Sequence, residues 1–333
     1  MKLSALTLLA HFCGTLARSP GCGKATKQPL DKFFTNNSTA HEGRTWQERL
    51  SSAYDYNTET PLLIYLHGQY GDASTVSREL PFHKSTYDSI ISVYPQGLDD
   101  AASGDCGTGW NVIGSEASHD ASTCNAKANS NTCCYKSCMS AGVCSGDGAD
   151  ANCGWATCEP DTDFVMDMIA QLQEELCVGE IWLAGGSNGG MMTHGLYGQY
   201  PETFKSVMPV YGLPLVGHMN VPDSLTGTSV LAMHDRSDTV IPWAGGEAGG
   251  WSYESGEKVY GEWAKVHGCE EASPVAVETP YDGGNKNLAC SWYGKCDSGR
   301  TVMTCLYDGG HGSWPRQGEE LAVWFFQDKW KYI

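Results

Sequence analysis

Six short runs set the architecture: Pro61–His67, Ser89–Tyr94, Glu180–Gly186, Ser206–Tyr211, Thr228–His234 and Thr301–Tyr307. Most are nearly continuous in Val, Ile, Leu, Tyr and Met. A strand with one wet face alternates apolar and polar residues, so continuous runs predict strands buried on both faces. Between the second and third, Val165, Ile169, Leu172 and Leu176 form one stripe, which Phe164 and Met168 widen. That spacing predicts a helix from about Asp161 to Leu176, with Asp161 and Asp163 supplying the N-terminal cap and favourable dipole charge. Further helices are expected at Gly189–Gln199, Lys258–His267 and Glu319–Lys329. Strands alternating with helices predict an α/β fold, a mostly parallel sheet with helices on both faces.

Residues 101–158 break the pattern. They are rich in Gly, Ala, Ser and Asn, show no periodicity, and hold Cys106, Cys124, Cys133, Cys134, Cys138, Cys144, Cys153 and Cys158. So long a segment inside one domain needs staples, and a disulfide-rich insertion is expected. The first 17 residues have the marks of a signal peptide: Lys2, an apolar stretch from Leu6 to about Leu16, and small residues in Thr15-Leu16-Ala17. One mature domain, 18–333, would begin at Arg18. Of 15 cysteines only Cys13 falls in the leader. An even set then remains, as expected of an exported, disulfide-bonded chain. The insertion's eight should pair internally, with adjacent Cys133 and Cys134 going to different partners. Cys22, Cys177, Cys269, Cys290, Cys296 and Cys305 should pair among themselves. No Cys-x-x-Cys occurs, so structural zinc is not expected. Overlapping sequons at Asn36-Asn37-Ser38 and Asn37-Ser38-Thr39 fit a secreted glycoprotein. A net charge of −18 repels nucleic acid and anionic membrane. No later run of 18 apolar residues exists to insert stably into a bilayer.

Gly185-Gly186-Ser187-Asn188-Gly189 is a G-x-S-x-G between the apolar run Ile181–Ala184 and a helical pattern. That is the setting of the nucleophile elbow of an α/β-hydrolase. Glycines at ±2 are required because side chains there would press on neighbouring backbone. The order Ser, acid, His then selects the partners. His234 precedes any suitable acid and His267 lies in a helical pattern. His311 sits in Asp308-Gly309-Gly310-His311-Gly312-Ser313 after the last strand and is the expected base. For the acid, Asp235 and Asp238 compete. Asp235 adjoins Arg236, as a local ion pair or cap would, and spacing favours Asp238 only slightly. Expected oxyanion donors are the backbone N–H groups of Asn188 and Gln69, the latter in His67-Gly68-Gln69-Tyr70-Gly71. His67 itself ends a buried strand and is expected to be structural.

Ser19-Pro20-Gly21-Cys22-Gly23, Leu66-His67-Gly68, Gly109-Trp110-Asn111, Gly186-Ser187-Asn188-Gly189-Gly190-Met191-Met192, and Gly310-His311 with Trp314-Pro315 together resemble the secreted polyhydroxybutyrate depolymerase and feruloyl esterase family. The resemblance implies an α/β-hydrolase esterase. Its acid segment, H-G-x-x-D-x-x-V-P, lays the acid on Asp238 and the second oxyanion donor on Gln69. It departs from the family in placing Asp235 where that segment has glycine, in a His311–Trp314 spacing one residue longer, and in the cysteine-rich insertion. The expected protein is therefore a secreted serine esterase with a Ser187–His311–Asp238 triad and no metal or organic cofactor. Its expected substrate is an ester-bearing polymer or oligomer: feruloyl or acetyl esters of polysaccharide, or a polyhydroxyalkanoate-type polyester. Trp110, Trp243 and Trp314 are candidates to stack on an aromatic acyl group or sugar ring, although tryptophans in such a fold more often pack in the core. A peptidase with the same triad and a non-catalytic binding protein that uses the insertion are the competing classes.

Overall fold

The computed structural model describes residues 18–82, 89–99, 101–103, 107–115, 134–142, 157–221, 227–281, 287–297 and 299–332. Along the chain run β1 (Phe33–Asn37), β2 (Thr45–Arg49), β3 (Thr60–Leu66), β4 (Ile91–Pro95), β5 (Ala101–Ser103), β6 (Cys134–Tyr135) and β7 (Val178–Gly186). They continue with β8 (Ser206–Val210), β9 (Ser229–Asp235), β10 (Gly246–Ala248), β11 (Trp251–Tyr253), β12 (Val275–Val277), β13 (Ala289–Trp292) and β14 (Val302–Tyr307). The helices are α1 (Ala73–Glu79), α2 (Lys136–Ser140), α3 (Asp161–Glu175), α4 (Asn188–Gln199), α5 (Gly256–Val266) and α6 (Gly318–Phe326).

Ten strands form one sheet in the order β1-β2-β4-β3-β7-β8-β9-β14-β13-β12. The six central strands, β4 to β14 in that order, pair in parallel. They are the six apolar runs of the sequence, with bounds shifted by a residue or two. From β3 the chain steps outward to β4, then returns to the other side of β3 to lay down β7, β8, β9 and β14. This is the α/β-hydrolase order, and its direction reverses between β3 and β7. At such a switch point the loops leaving neighbouring strands diverge and open a crevice above the carboxyl ends.

The pleat divides each central strand between two cores. Leu62, Ile64 and Leu66 of β3 and Ile181 and Leu183 of β7 pack with α3, α4 and α5. Leu63, Tyr65, Trp182 and Ala184 face the opposite side with Phe325 and Phe326 of α6. The antiparallel edge strands β1, β2, β12 and β13 escape sequence reading because they are short and only partly buried. Helix α3 begins at Asp161 as expected, but Pro160 occupies the N-cap and no side chain caps it. Asp161 is buried instead, 2.6 Å from Arg44 Nη2. It also accepts hydrogen bonds from Asn111 N at 2.7 Å and Thr157 Oγ1 at 2.9 Å. A carboxylate at that depth requires such partners, and Arg44, Asn111 and Thr157 supply them.

Three disulfides, Cys22–Cys177, Cys269–Cys296 and Cys290–Cys305, use the six cysteines that the sequence set apart from the expected leader and the insertion, and pair them among themselves, as expected. Cys138–Cys158 joins two cysteines of the insertion. The expected leader at 1–17, Cys106, Cys124, Cys133, Cys144 and Cys153, and the side chain of Cys134 lie outside the described residues.

One core carboxyl has a measurable consequence. Burial pushes Glu48 from 4.5 up to about 7, against hydrogen bonds from Trp46 Nε1 (2.9 Å) and Asn36 Nδ2 (3.2 Å). The folded chain therefore holds a proton that the unfolded chain releases above pH 4.5. Its contribution of ~3 kcal/mol is complete below that pH and disappears as pH rises toward 7. Denaturant titrations at pH 4.5 and 7 should show this loss, and Glu48→Gln should largely abolish the difference.

Candidate active site

The switch point places the ends of β3 and β7 side by side. Ser187 terminates β7 and begins α4 with φ 54° and ψ −121°, a left-handed backbone that a non-glycine residue adopts only under constraint. The constraint is visible in its neighbours. A Cβ at Gly185 would lie 2.3 Å from Gly189 O, and one at Gly189 would lie 2.2 Å from Leu66 O. Both glycines are thus steric requirements of the turn, as the sequence spacing predicted. Ser187 N donates to Val210 O at 3.0 Å, which fixes the turn against β8.

From this position Ser187 Oγ lies 2.9 Å from His311 Nε2. His311 Nδ1 lies 2.7 Å from Asp238 Oδ2. Asp238 Oδ1 accepts from Val240 N at 2.8 Å and Ile241 N at 2.9 Å. The carboxylate is almost fully enclosed, while the His311 side chain is 21% exposed. The geometry makes Nδ1–H the donor to Asp238, which turns the Nε2 lone pair toward the serine hydroxyl. Tyr211 stands edge-on to His311, with ring centroids 5.2 Å apart. The structure thus brings together Ser187, His311 and Asp238, residues drawn from three loops.

Asp235, the competing acid, faces elsewhere. Its Oδ1 accepts from Ser237 N and Oγ at 2.7 and 2.6 Å, and its Oδ2 accepts from Gly310 N at 2.6 Å. Of the two local roles open to it, the bonds to Ser237 are those of a turn cap, and the ion pair with Arg236 does not form. Arg236 reaches Asp308 at 3.2 Å and Asn287 O at 2.9 Å. His234 is buried and donates from Nε2 to Ile241 O at 2.7 Å, with burial lowering its pKa. His267 caps the C-terminus of α5 and bonds Tyr197 Oη at 2.7 Å.

On the side of the expected oxyanion donors, Gly68 lies against Ser187: a Cβ there would be 3.2 Å from Ser187 Cβ. Gln69 follows it at the mouth. His67 is buried as expected. Its Nδ1 donates to Gly68 O at 2.7 Å, and its Nε2 accepts from Gly97 N at 2.9 Å. Burial brings its pKa down to about 4, so the ring stays neutral with a fixed tautomer. Asn188 is fully buried. Its side chain spans the Trp110 backbone, accepting from Trp110 N at 2.8 Å and donating to Trp110 O at 3.2 Å. Trp110 Nε1 donates to His67 O at 2.8 Å. One tryptophan therefore ties together the loops that carry both expected oxyanion donors.

Of the two roles open to Trp110, stacking and core, this is the core one, and its side chain is 0% exposed. Trp243 lies parallel to Tyr260 (5.7 Å, 11°), is 5.4 Å from His234, and donates to Glu257 Oε1 at 2.9 Å. Trp314 packs edge-on to Tyr65 and Phe82 and donates to Glu319 Oε2 at 3.0 Å. Both remain half-buried, with their rings engaged by the fold. Among the described residues, Tyr70 (60%) and Val240 (47%) are exposed apolar groups that sequence reading passed over. They adjoin Gln69 and the Asp238 loop, and that adjacency was the available signal. Tyr70 has φ 62°, held by its N–H bond to Thr108 O at 2.9 Å.

No protein-family model matches the chain, and no curated protein sequence does. Solved structures of similar outline include a thermostable esterase at 14% identity and TM-score 0.48, covering 90% of this chain and 61% of that one. An acetyl xylan esterase from Aspergillus awamori aligns at 14% identity and TM-score 0.49, covering 85% and 94%. The Bacillus cereus carboxylesterase aligns at 12% identity and TM-score 0.48, covering 86% and 96%. The chain thus spans about three-fifths of the thermostable esterase. Likenesses this distant leave the fold to the strand order above and the chemistry to the residues of this chain.

The Trp110 placement is testable. Trp110→Ala should cost about 3–5 kcal/mol in denaturant unfolding, the usual result of emptying a buried aromatic site. A residue serving only as a stacking surface would instead change substrate KM with little loss of stability.

Proposed function

We propose that the protein is a secreted serine esterase that hydrolyses carboxylic esters through an acyl-enzyme. The observation that carries this reading is the unbroken line Ser187 Oγ, His311 Nε2, His311 Nδ1, Asp238 Oδ2, with links of 2.9 and 2.7 Å. In the proposed mechanism His311 takes the serine proton as Oγ attacks the ester carbonyl. The Asn188 and Gln69 backbone N–H groups stabilise the developing oxyanion. Asp238 keeps Nδ1–H oriented and stabilises the imidazolium, which then protonates the departing alcohol. Water, activated by the same imidazole, releases the acid. The position of Ser187 at the N-terminus of α4 adds a favourable dipole for the anion.

The finer substrate class rests on the S-N-G-G-M-M block and the other motifs resembling polyhydroxybutyrate depolymerases and feruloyl esterases. A neutral ester-bearing polymer or oligomer fits a chain of net charge −18, which repels polyanions. Apolar Tyr70 and Val240 near the crevice suit an apolar acyl or polyester segment better than a charged one. Export rests on the leader-like first 17 residues and the paired cysteines. Of the two sequons, Asn37 is the better acceptor. Asn36 is half-buried, with its amide donating to Glu48 and its carbonyl accepting from Asn37 N at 2.9 Å, whereas Asn37 is exposed.

Ser187→Ala should reduce turnover of any accepted ester by several orders of magnitude with unfolding unchanged, and a fluorophosphonate probe should label Ser187 alone. Asp238→Asn should lower kcat about 10⁴-fold by reversing the imidazole tautomer. Rates on feruloyl, acetyl and 3-hydroxybutyrate esters, measured beside peptides of matched size, would decide the substrate class. Faster peptide cleavage would replace the esterase reading with a peptidase. In material secreted from a eukaryotic host, enzymatic deglycosylation with peptide mass mapping should convert Asn37, not Asn36, to aspartate.

A further inference from the structure

The loop that carries His311 is rich in glycine. Gly309, Gly310 and Gly312 flank the histidine, all with positive φ, at 155°, 86° and 78°. Glycine carries the largest backbone entropy of any residue, so such a loop samples many conformations unless something tethers it. The bond of the imidazole to Ser187 cannot be that tether during turnover, because it breaks and reforms in each cycle, and the bond to Asp238 holds the ring rather than the backbone of the loop.

We infer that Asp235 is a positioning residue for His311, clamping the backbone of the 308–313 loop from the end of β9. This rests on reading Ser187, His311 and Asp238 as a triad. The Asp235 carboxylate is fully buried. Its Oδ2 accepts from Gly310 N, the residue before the histidine, at 2.6 Å, and lies 3.4 Å from Ser313 Oγ, two residues after it. Its Oδ1 is fixed by Ser237 N and Oγ. A charged acceptor gives the stronger kind of hydrogen bond. Burial opposes the charge, but the donors from Ser237, Gly310 and Ser313 outweigh it and hold the pKa below the usual carboxylate value. The loop is pinned at two further points: Arg236 pairs with Asp308, and Tyr307 Oη donates to Ser313 O at 2.9 Å.

The turn after β9 thus carries two carboxylates with divided tasks. Asp235 holds the loop's backbone, and Asp238, three residues on, orients the ring that the loop presents. Neither can take the other's role, because β9 pairs with β14 in register up to Asp235 and Tyr307. That pairing leaves Asp235 beside the start of the loop and Asp238 beyond it, under the imidazole.

The test compares Asp235→Ala, Asp235→Asn and Ser237→Ala with the parent chain. Loss of the clamp should lower kcat about 10- to 100-fold in Asp235→Ala, with KM changed less than about twofold, since a displaced base impairs chemistry and leaves binding intact. Asp235→Asn should fall between, because its single carbonyl oxygen cannot serve Gly310 and Ser237 together. Ser237→Ala, which leaves the bond to Gly310 in place, should stay within about twofold of the parent. Hydrogen exchange across 308–316, measured also in the Ser187→Ala background, should speed up in both Asp235 variants and not in Ser237→Ala. Unchanged kcat and exchange in a folded Asp235→Ala would overturn the proposal, as would equal losses in Ser237→Ala. If Asp235→Ala fails to fold, the Asp235→Asn and Ser237→Ala pair decides by the same readouts. Failure of the triad reading would appear separately, as no fluorophosphonate labelling of Ser187 in the parent chain.

Discussion

The contact on which the site depends is the approach of the start of α4 to the end of β3. At Gly189 the helix backbone comes so near that any side chain would sit 2.2 Å from Leu66 O. This closeness forces Ser187 into a left-handed turn and lifts its hydroxyl above the sheet. It also brings Gly68 against Ser187, so that two strands remote in sequence contribute to one crevice. The cost of a non-glycine residue at φ 54°, about 1–3 kcal/mol, is borne by the packed sheet beneath.

The cysteine-rich insertion is coupled to this arrangement through its described part. Trp110 is clasped by the Asn188 side chain and bonded to His67 O, and Thr108 O receives the N–H of Tyr70. Tyr135 Oη donates to Gly107 O at 3.1 Å, and Asn111 N reaches buried Asp161. The insertion thus braces both sides of the crevice. Disulfides complement this bracing. Cys22–Cys177 closes 155 residues, for which chain entropy alone allows about 5 kcal/mol.

Much of this was legible in advance. Six apolar runs stood for six parallel strands because burial on both faces removes the alternation that solvent imposes. Ser187, His311 and two candidate aspartates were legible because the elbow's glycines and the order of the triad follow from steric and chemical need. The edge strands β1, β2, β12 and β13 were not, since partial burial leaves a weak apolar pattern. Nor was the particular bridge that Trp110 makes. An indole reads alike whether it stacks on a substrate or bridges two loops, and only the neighbours distinguish the two.

The sequence by itself determined the alternation of strands and helices, the strained serine turn and the short list of residues able to share a proton with it. These are local properties, carried by periodicity, glycine placement and chain order. Spacing left Asp235 and Asp238 nearly level and the family resemblance favoured Asp238, but which of them lies against the imidazole is a matter of tertiary structure. The two lie three residues apart, and which one meets the imidazole depends on the register of β9 against β14 and on the path of a glycine-rich loop 70 residues later. Register and loop path are set by packing across the sheet, which no local pattern encodes. The same packing gave the rejected aspartate its place, at the backbone of the loop that holds His311.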